Sequence, residues 1–260
     1  MQHEQGEDCM QGVSVNRASN ENAILAALSG QEYEHLQPHL EMVDLPSKQN
    51  LYNCGDTIRY VYFPLDAVVY LFTTLKDGAT IETGIIGSEG VLGISAVLGV
   101  RTTPYQALAL SHNKALRICA ELLKKEFDLG GMLHNLMLRY FHALFVQITQ
   151  TAACNRHHNM EGRLCRWLLM MHDRNMSDDL QVTQEFISEM LGTRRPYVTT
   201  AAGILQKEKI IECSRGHIRI LNRQALEDCC CECYEIIRQG FNHSRESVGF
   251  SNDNKSHNFH

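Results

Sequence analysis

The sequence predicts an α+β fold: an N-terminal antiparallel β-roll, one long helix, and a C-terminal helix–turn–helix with a two-stranded wing. Three observations carry this prediction. Between Glu41 and Ile118 the apolar residues fall in short β-branched and aromatic runs separated by turn residues. From about Glu121 the apolar spacing changes to threes and fours, the period of a helix. Between Val182 and Leu221, two short amphipathic segments flank a glycine and lead into two isoleucine-rich runs.

Taken in order, "ENAILAALSGQEYEHLQPHL" predicts a short helix with Ile24, Leu25 and Leu28 on one face. The runs "YVYFP", "VVYLFTTL" and "TIETGII" predict strands, and Asp77-Gly78 predicts a hairpin turn between the last two. Strands this short and closely spaced suit a small antiparallel barrel or roll. In the long helix one stripe comprises Leu138, Phe141, Phe145, Ile148 and Ala152, and a second comprises Leu133, Leu136, Tyr140 and Leu144. A small roll covers only one of these faces. The other is expected to meet a second copy of the chain, as in a coiled-coil seam; a central helix buried within a monomer is the competing reading.

"NRHHN", residues 155–159, reads as a polar hinge, and "RLCRWLLMMHDR" as a helix with Leu164, Trp167, Leu168 and Met171 on one side. Thr183 is the expected N-cap of the next helix, whose apolar face is Phe186, Ile187, Met190 and Leu191. Gly192 ends it, because a sharp turn needs a left-handed residue. The following helix starts at Arg194 or Arg195, with Pro196 tolerated in its first turn. Val198, Ala201, Ala202 and Leu205 face inward, leaving Pro196, Thr199, Thr200 and Gly203 outward, Tyr197 at the flank and the two arginines at the tip. A small, hydroxylated surface with cations at its mouth fits the major groove of double-stranded DNA, where arginine can bond guanine and threonine methyls can meet thymine. Ile210-Ile211 and Ile218-Ile220 around Ser214-Arg215-Gly216 form a wing, with Arg215, His217 and Arg219 directed to flanking phosphates.

Net charge does not oppose that reading. The chain carries -6 in total, with 11 Lys+Arg against 16 Asp+Glu in residues 1–158 but 9 against 8 in residues 159–221. The longest apolar stretch, Gly90 to Val100, is about half a membrane span, and the polar start lacks a secretory or transit signal, so no membrane partner and a cytoplasmic location are expected. Ten cysteines without a signal peptide are expected to be reduced. In "DCCCECYE", Cys229 and Cys233 share a helical face and are the candidate metal or redox pair, against a small buried apolar face as the alternative. No His₂ or CxxC companion outside this run completes a ligand set. His157-His158 reads as polar hinge, His134 and His142 are too far apart for a one-turn site, and His112 or a neighbour is a haem candidate that nothing requires. Nucleophile-elbow, P-loop, zincin and dinucleotide signatures are all missing, so the chain is not expected to be an enzyme.

The segments "ACNRHHNMEGRLCRWLLMMHDR" and "VTQEFISEMLGTRRPYVTTAAGILQKEKII" resemble the CRP/FNR superfamily of bacterial transcription regulators, in a branch with a degenerate cyclic-nucleotide cassette. The resemblance spans about residues 21–240. It implies a β-roll sensor domain, similar to cyclic-nucleotide-binding domains, over 21–128. A dimerisation helix and hinge follow over 129–158, then a winged helix–turn–helix DNA-binding domain over 159–240, with segments 1–20 and 241–260 expected to be mobile. By position Arg195, Pro196 and Thr200 fall where members of the superfamily read bases. Its best-known readers carry glutamate where this chain has Pro196. The implied partners are an operator duplex, a second copy of the chain and RNA polymerase. In the roll, Glu89, Gly90, Arg101 and Thr102 occupy the cassette positions and are the candidate effector pocket. Because Gly90 follows Glu89 and Pro104 follows Arg101 closely, a roll with another ligand or none is expected rather than a cyclic nucleotide. The superfamily's iron–sulfur cluster needs several closely spaced N-terminal cysteines, and only Cys9 is there. The competing class is a ligand- or metal-sensing module whose winged helix makes protein contacts.

Overall fold

Two antiparallel sheets close the roll. The computed structural model describes residues 22–110 and 113–245, so the segment 1–20, Cys9 and His112 lie outside the described residues. The predicted first helix is two: α1 (Ala23–Ala26) and α2 (Gly30–Leu36). Ser29 breaks it, because its hydroxyl accepts from the Glu32 amide in a capping box that starts α2 afresh. Strands β1 (Glu41–Leu45), β2 (Asn50–Tyr52), β3 (Tyr60–Pro64), β4 (Val69–Thr74), β5 (Thr80–Ile86), β6 (Gln106–Ala109) and β7 (Asn113–Cys119) follow. They pair in the orders β1-β7-β3 and β2-β6-β4-β5. The turn at Asp77-Gly78 joins β4 to β5 as predicted, with the Leu75 amide donating to the Ala79 carbonyl at 2.8 Å. Val61, Phe63, Leu71, Ile85, Leu116 and Ile118 fill the space between the sheets.

Helix α3 (Ala120–Asp128) leads to the long helix α4 (Gly131–His157). The Glu32 carboxylate reaches across to accept from the amides of Met132 and Leu133 at 2.6 and 3.1 Å, capping α4 from α2. The two stripes of α4 separate cleanly. Leu133, Leu136, Tyr140 and Leu144 are buried, whereas Leu138, Phe141, Phe145 and Ile148 are 37–56 % exposed.

The C-terminal half comprises α5 (Met160–Asn175), β8 (Asp179–Leu180), α6 (Gln184–Met190), α7 (Arg195–Lys207), β9 (Ile211–Ser214), β10 (His217–Ile220), α8 (Arg223–Asp228) and α9 (Cys233–Arg245). The wing is three-stranded, in the order β8-β10-β9. The sequence did not suggest β8, whose two residues are too few to show a period. Helix α9 takes in the first residues of the expected 241–260 tail: it continues as helix through Arg245, and Ile237 and Phe241 are buried, while 246–260 lie outside the described residues. It lies along α4, with Phe241 near the Tyr140 ring at 6.3 Å between centroids. The cause is its amphipathic spacing, which puts Cys233, Ile237 and Phe241 on the face turned to α4. Among the described residues no helix is long and apolar enough to cross a membrane.

Candidate nucleic-acid interface

Local sequence sets the geometry of the turn. The Thr183 hydroxyl accepts from the Phe186 amide at 3.1 Å and starts α6. Gly192 takes a φ of +58° after its end, and Arg194, extended at φ -87° and ψ 139°, caps α7. Pro196 sits in the first turn of α7, where its missing N–H has no intrahelical partner to lose. Arg163 from α5 donates to the Leu191 carbonyl and ties the turn to the helix behind it. This anchor was not legible in the sequence, because an arginine on a mostly apolar helix reads as a surface charge.

The residues singled out for DNA come together on one side. Val198, Ala201, Ala202 and Leu205 are buried under α7, and Arg194, Arg195, Pro196, Tyr197, Thr199 and Thr200 are all exposed. Thr200 donates to the Pro196 carbonyl, and Thr199 to Gln184 of α6 at 2.8 Å, so the hydroxyl protons are held while the methyls stay free. Arg195 lies 3.6 Å from Glu185, a solvent-exposed pair that a phosphate or guanine could displace at little cost. Between this helix mouth and the wing runs a groove of about 340 Å³, lined by Thr183, Arg195, Arg215 and His217 among others. Arg215 and Arg219 are exposed on the wing. His217 is less free than expected, since its Nδ1 faces Asp179 of β8 at 3.3 Å.

The candidate effector residues do not converge. Glu89 is buried and accepts from Arg174 Nε at 2.7 Å and from the Gly87 amide at 3.1 Å. Space beside Gly90 is filled by Tyr140, whose ring would stand 2.3 Å from a Cβ there. Arg101 and Thr102 are exposed, and Arg101 points to Glu121 at 3.9 Å. The physical reason is an ion pair that no local pattern reveals: an arginine from α5 takes the carboxylate that would otherwise face a ligand.

That pair belongs to a buried polar seam between the roll and α4 and α5. Arg174 also donates to Gln147 of α4 at 3.2 Å, and Gln147 donates to the Ile85 carbonyl. Trp167 donates to Glu82 of β5 at 2.7 Å. Burial pushes the Glu82 carboxyl up to about 7, against the pull of Arg166, the Trp167 hydrogen bond and Arg174. The Tyr70 ring of β4 stacks on Trp167 and meets Phe186 of α6 edge-on, at 6.1 and 5.3 Å between centroids.

The thiol prediction is corrected in part. Cys229 is exposed and stands apart, while Cys233 is buried and points to Cys231, Cys154 and His158. His158 is therefore not just hinge. The sequence missed this because the partners lie on α4, more than 70 residues upstream.

Comparison with known proteins agrees with this fold. Residues 162–229 match the Crp-like helix-turn-helix domain family. Over 217 residues the chain is 24% identical to the global nitrogen regulator of Synechococcus elongatus, covering 80% of this chain and 97% of that protein. Its fold is similar to that of FixK2 from Bradyrhizobium japonicum, at 16% identity and a TM-score of 0.65, covering 74% of this chain and 98% of that one. A CRP/FNR-family transcriptional regulator of Thermus thermophilus aligns with a TM-score of 0.58 at 18% identity, over 75% of this chain and 98% of the other. With the helix–turn–helix matched by sequence and the roll, long helix and wing matched by fold, the chain carries a Crp-like helix-turn-helix domain and has the fold of CRP/FNR-family transcription regulators.

Proposed function

We propose that the chain is a homodimeric, sequence-specific regulator that reads an operator half-site with each α7. Arg194, Arg195, Pro196, Tyr197, Thr199 and Thr200 enter the major groove, and Arg215, His217 and Arg219 hold flanking phosphates. The observation that carries this reading is the uncovered mouth of α7, two guanidinium groups at the start of a helix whose outer face is small and hydroxylated. A second observation supports the dimer. The exposed stripe Leu138, Phe141, Phe145 and Ile148 is an apolar face on the long helix, away from both the roll and α9. In this reading the roll, docked on α5 through the Glu89–Arg174 pair, biases the orientation of the two reading helices in the cytoplasm, and the DNA-bound dimer engages RNA polymerase.

Duplex binding measured by fluorescence anisotropy across a salt series tests the interface. Four arginines per half-site predict a log–log salt slope steeper than about -4 for the dimer. A flat salt dependence would instead favour a winged helix used for protein contacts. Arg195→Ala is expected to cost about 1–3 kcal/mol at one base position and to relax specificity there. Uniform weakening across all sequences would reassign Arg195 to a phosphate.

A further inference from the structure

Four soft donors from two distant parts of the chain meet where α4 ends. Cys154 and His158 sit one turn apart on α4, and His158 is its C-cap. Cys231 lies in the short link after α8, and Cys233 is the first residue of α9. Cys154 Sγ is 3.6 Å from Cys231 Sγ, and Cys233 Sγ is 3.3 Å from His158 Nδ1. All four donor atoms lie within 4.8 Å of one another. A tetrahedral zinc ion, with bonds of about 2.3 Å to sulfur and about 2.0 Å to nitrogen, holds its ligand atoms about 3.5–3.8 Å apart. The donors are thus already near the edges of such a tetrahedron.

The surroundings fit a metal as well. His158 turns Nδ1 to the thiols while Nε2 faces Glu232 at 3.3 Å, the carboxylate–imidazole arrangement that fixes a ligand's tautomer and raises its basicity. Gln150 Nε2 donates to Cys233 Sγ at 3.2 Å, a bond that a thiolate accepts more strongly than a thiol. Arg166 is fully buried, and its Nε and Nη2 have no hydrogen-bond partner among the described residues. The contact with Cys231 and burial push the Cys154 thiol up to about 12, and the Arg166 guanidinium opposes that shift; Arg163 faces the charge of both Cys154 and Cys231. Three thiolates, one neutral imidazole and a dication carry one net negative charge, which these guanidinium groups would balance.

We propose that Cys154, His158, Cys231 and Cys233 bind one zinc ion. Binding displaces three thiol protons to solvent and leaves every sulfur at its original oxidation state. With four protein ligands the site is closed, so its role is structural. It fastens the end of α4 to the start of α9 and fixes the bend at His158–Asn159 from which α5 and the DNA-binding helices depart. This proposal does not depend on which bases α7 reads.

The full-length chain purified in reducing buffer is expected to carry about one zinc per chain. Cys154→Ser and His158→Ala should lose that metal, and Cys229→Ser, outside the cluster, should keep it. Because Cys154→Ser could unfold the chain, cobalt loading of the metal-stripped wild type supplies an independent reading. One equivalent of cobalt should give thiolate-to-cobalt absorption in the near ultraviolet and the strong visible bands of a tetrahedral ion. Zinc should also protect Cys154, Cys231 and Cys233 from alkylation at least tenfold, with Cys229 unprotected. No cobalt uptake by reduced protein, or a weak octahedral spectrum, overturns the site. Iron or copper in place of zinc overturns the choice of metal. A Cys154–Cys231 disulfide that reforms after reduction while added zinc stays unbound makes the cluster a redox pair instead.

Discussion

Glu82 has an ordinary hydrogen bond from Trp167, yet burial lifts its carboxyl from 4.5 to about 7. Between those values the folded chain holds a proton that the unfolded chain has released. Its contribution to stability is therefore complete below about 4.5 and falls as pH rises through about 7, by at most about 1.4 kcal/mol per pH unit. Chemical denaturation from pH 5 to pH 8 should show that decline in the wild type and a flatter profile in Glu82→Gln. Parallel profiles would remove Glu82 as the titrating group. Arg174 offers a complementary test. Arg174→Met leaves Glu89 buried without its cation, and a loss of about 3–5 kcal/mol is expected by denaturant titration. Neither residue could be assigned from sequence. Glu89 was legible as a cassette position, but its partner sits 85 residues further on, and charge pairing across that distance leaves no periodic trace.

Among the elements, α6 and α7 were the most legible, because caps, a turn glycine and an inward stripe are all local signals. Gly192 shows how strongly the backbone is constrained. At φ +58° an alanine is strained, and its Cβ would stand 2.8 Å from Ile81 Cδ1 at the edge of the roll. Gly192→Ala should cost about 1–2 kcal/mol in stability, read as a drop in Tm. The long helix was equally legible in its two stripes, and the structure separates them into a buried and an exposed face. If the exposed face joins two copies, Phe145→Glu should yield a monomer by light scattering and weaken operator binding more than tenfold. A Phe145→Glu dimer would place the contact elsewhere. Helix α9 was not read from the sequence beyond its cysteines: which surface Ile237 and Phe241 meet depends on a chain reversal after α8 that no short pattern encodes.

On the scale of the whole molecule, the order of roll, long helix and winged helix–turn–helix followed from changes of period along the chain, since each period records one kind of half-buried surface. What joins the parts did not follow. The polar seam of Glu82, Glu89, Gln147 and Arg174, and the thiol cluster between α4 and α9, are made of residues that look solvated or incidental in isolation. They gain meaning only when segments about 60–85 residues apart are folded together. Sequence periodicity locates layers; the polar contacts between layers are tertiary.

One such contact is the aromatic ring of Tyr70, which leaves the β4–β5 hairpin to lodge between Trp167 and Phe186, with its hydroxyl on the Met171 sulfur at 2.6 Å. The ring thus pins the β4–β5 hairpin to α5 and α6 at once. In the dimer proposed above, a tilt of that hairpin would have to carry α6 and the adjoining α7 with it or draw the ring out of its slot, so the spacing of the two copies of α7 would be geared to this one tyrosine.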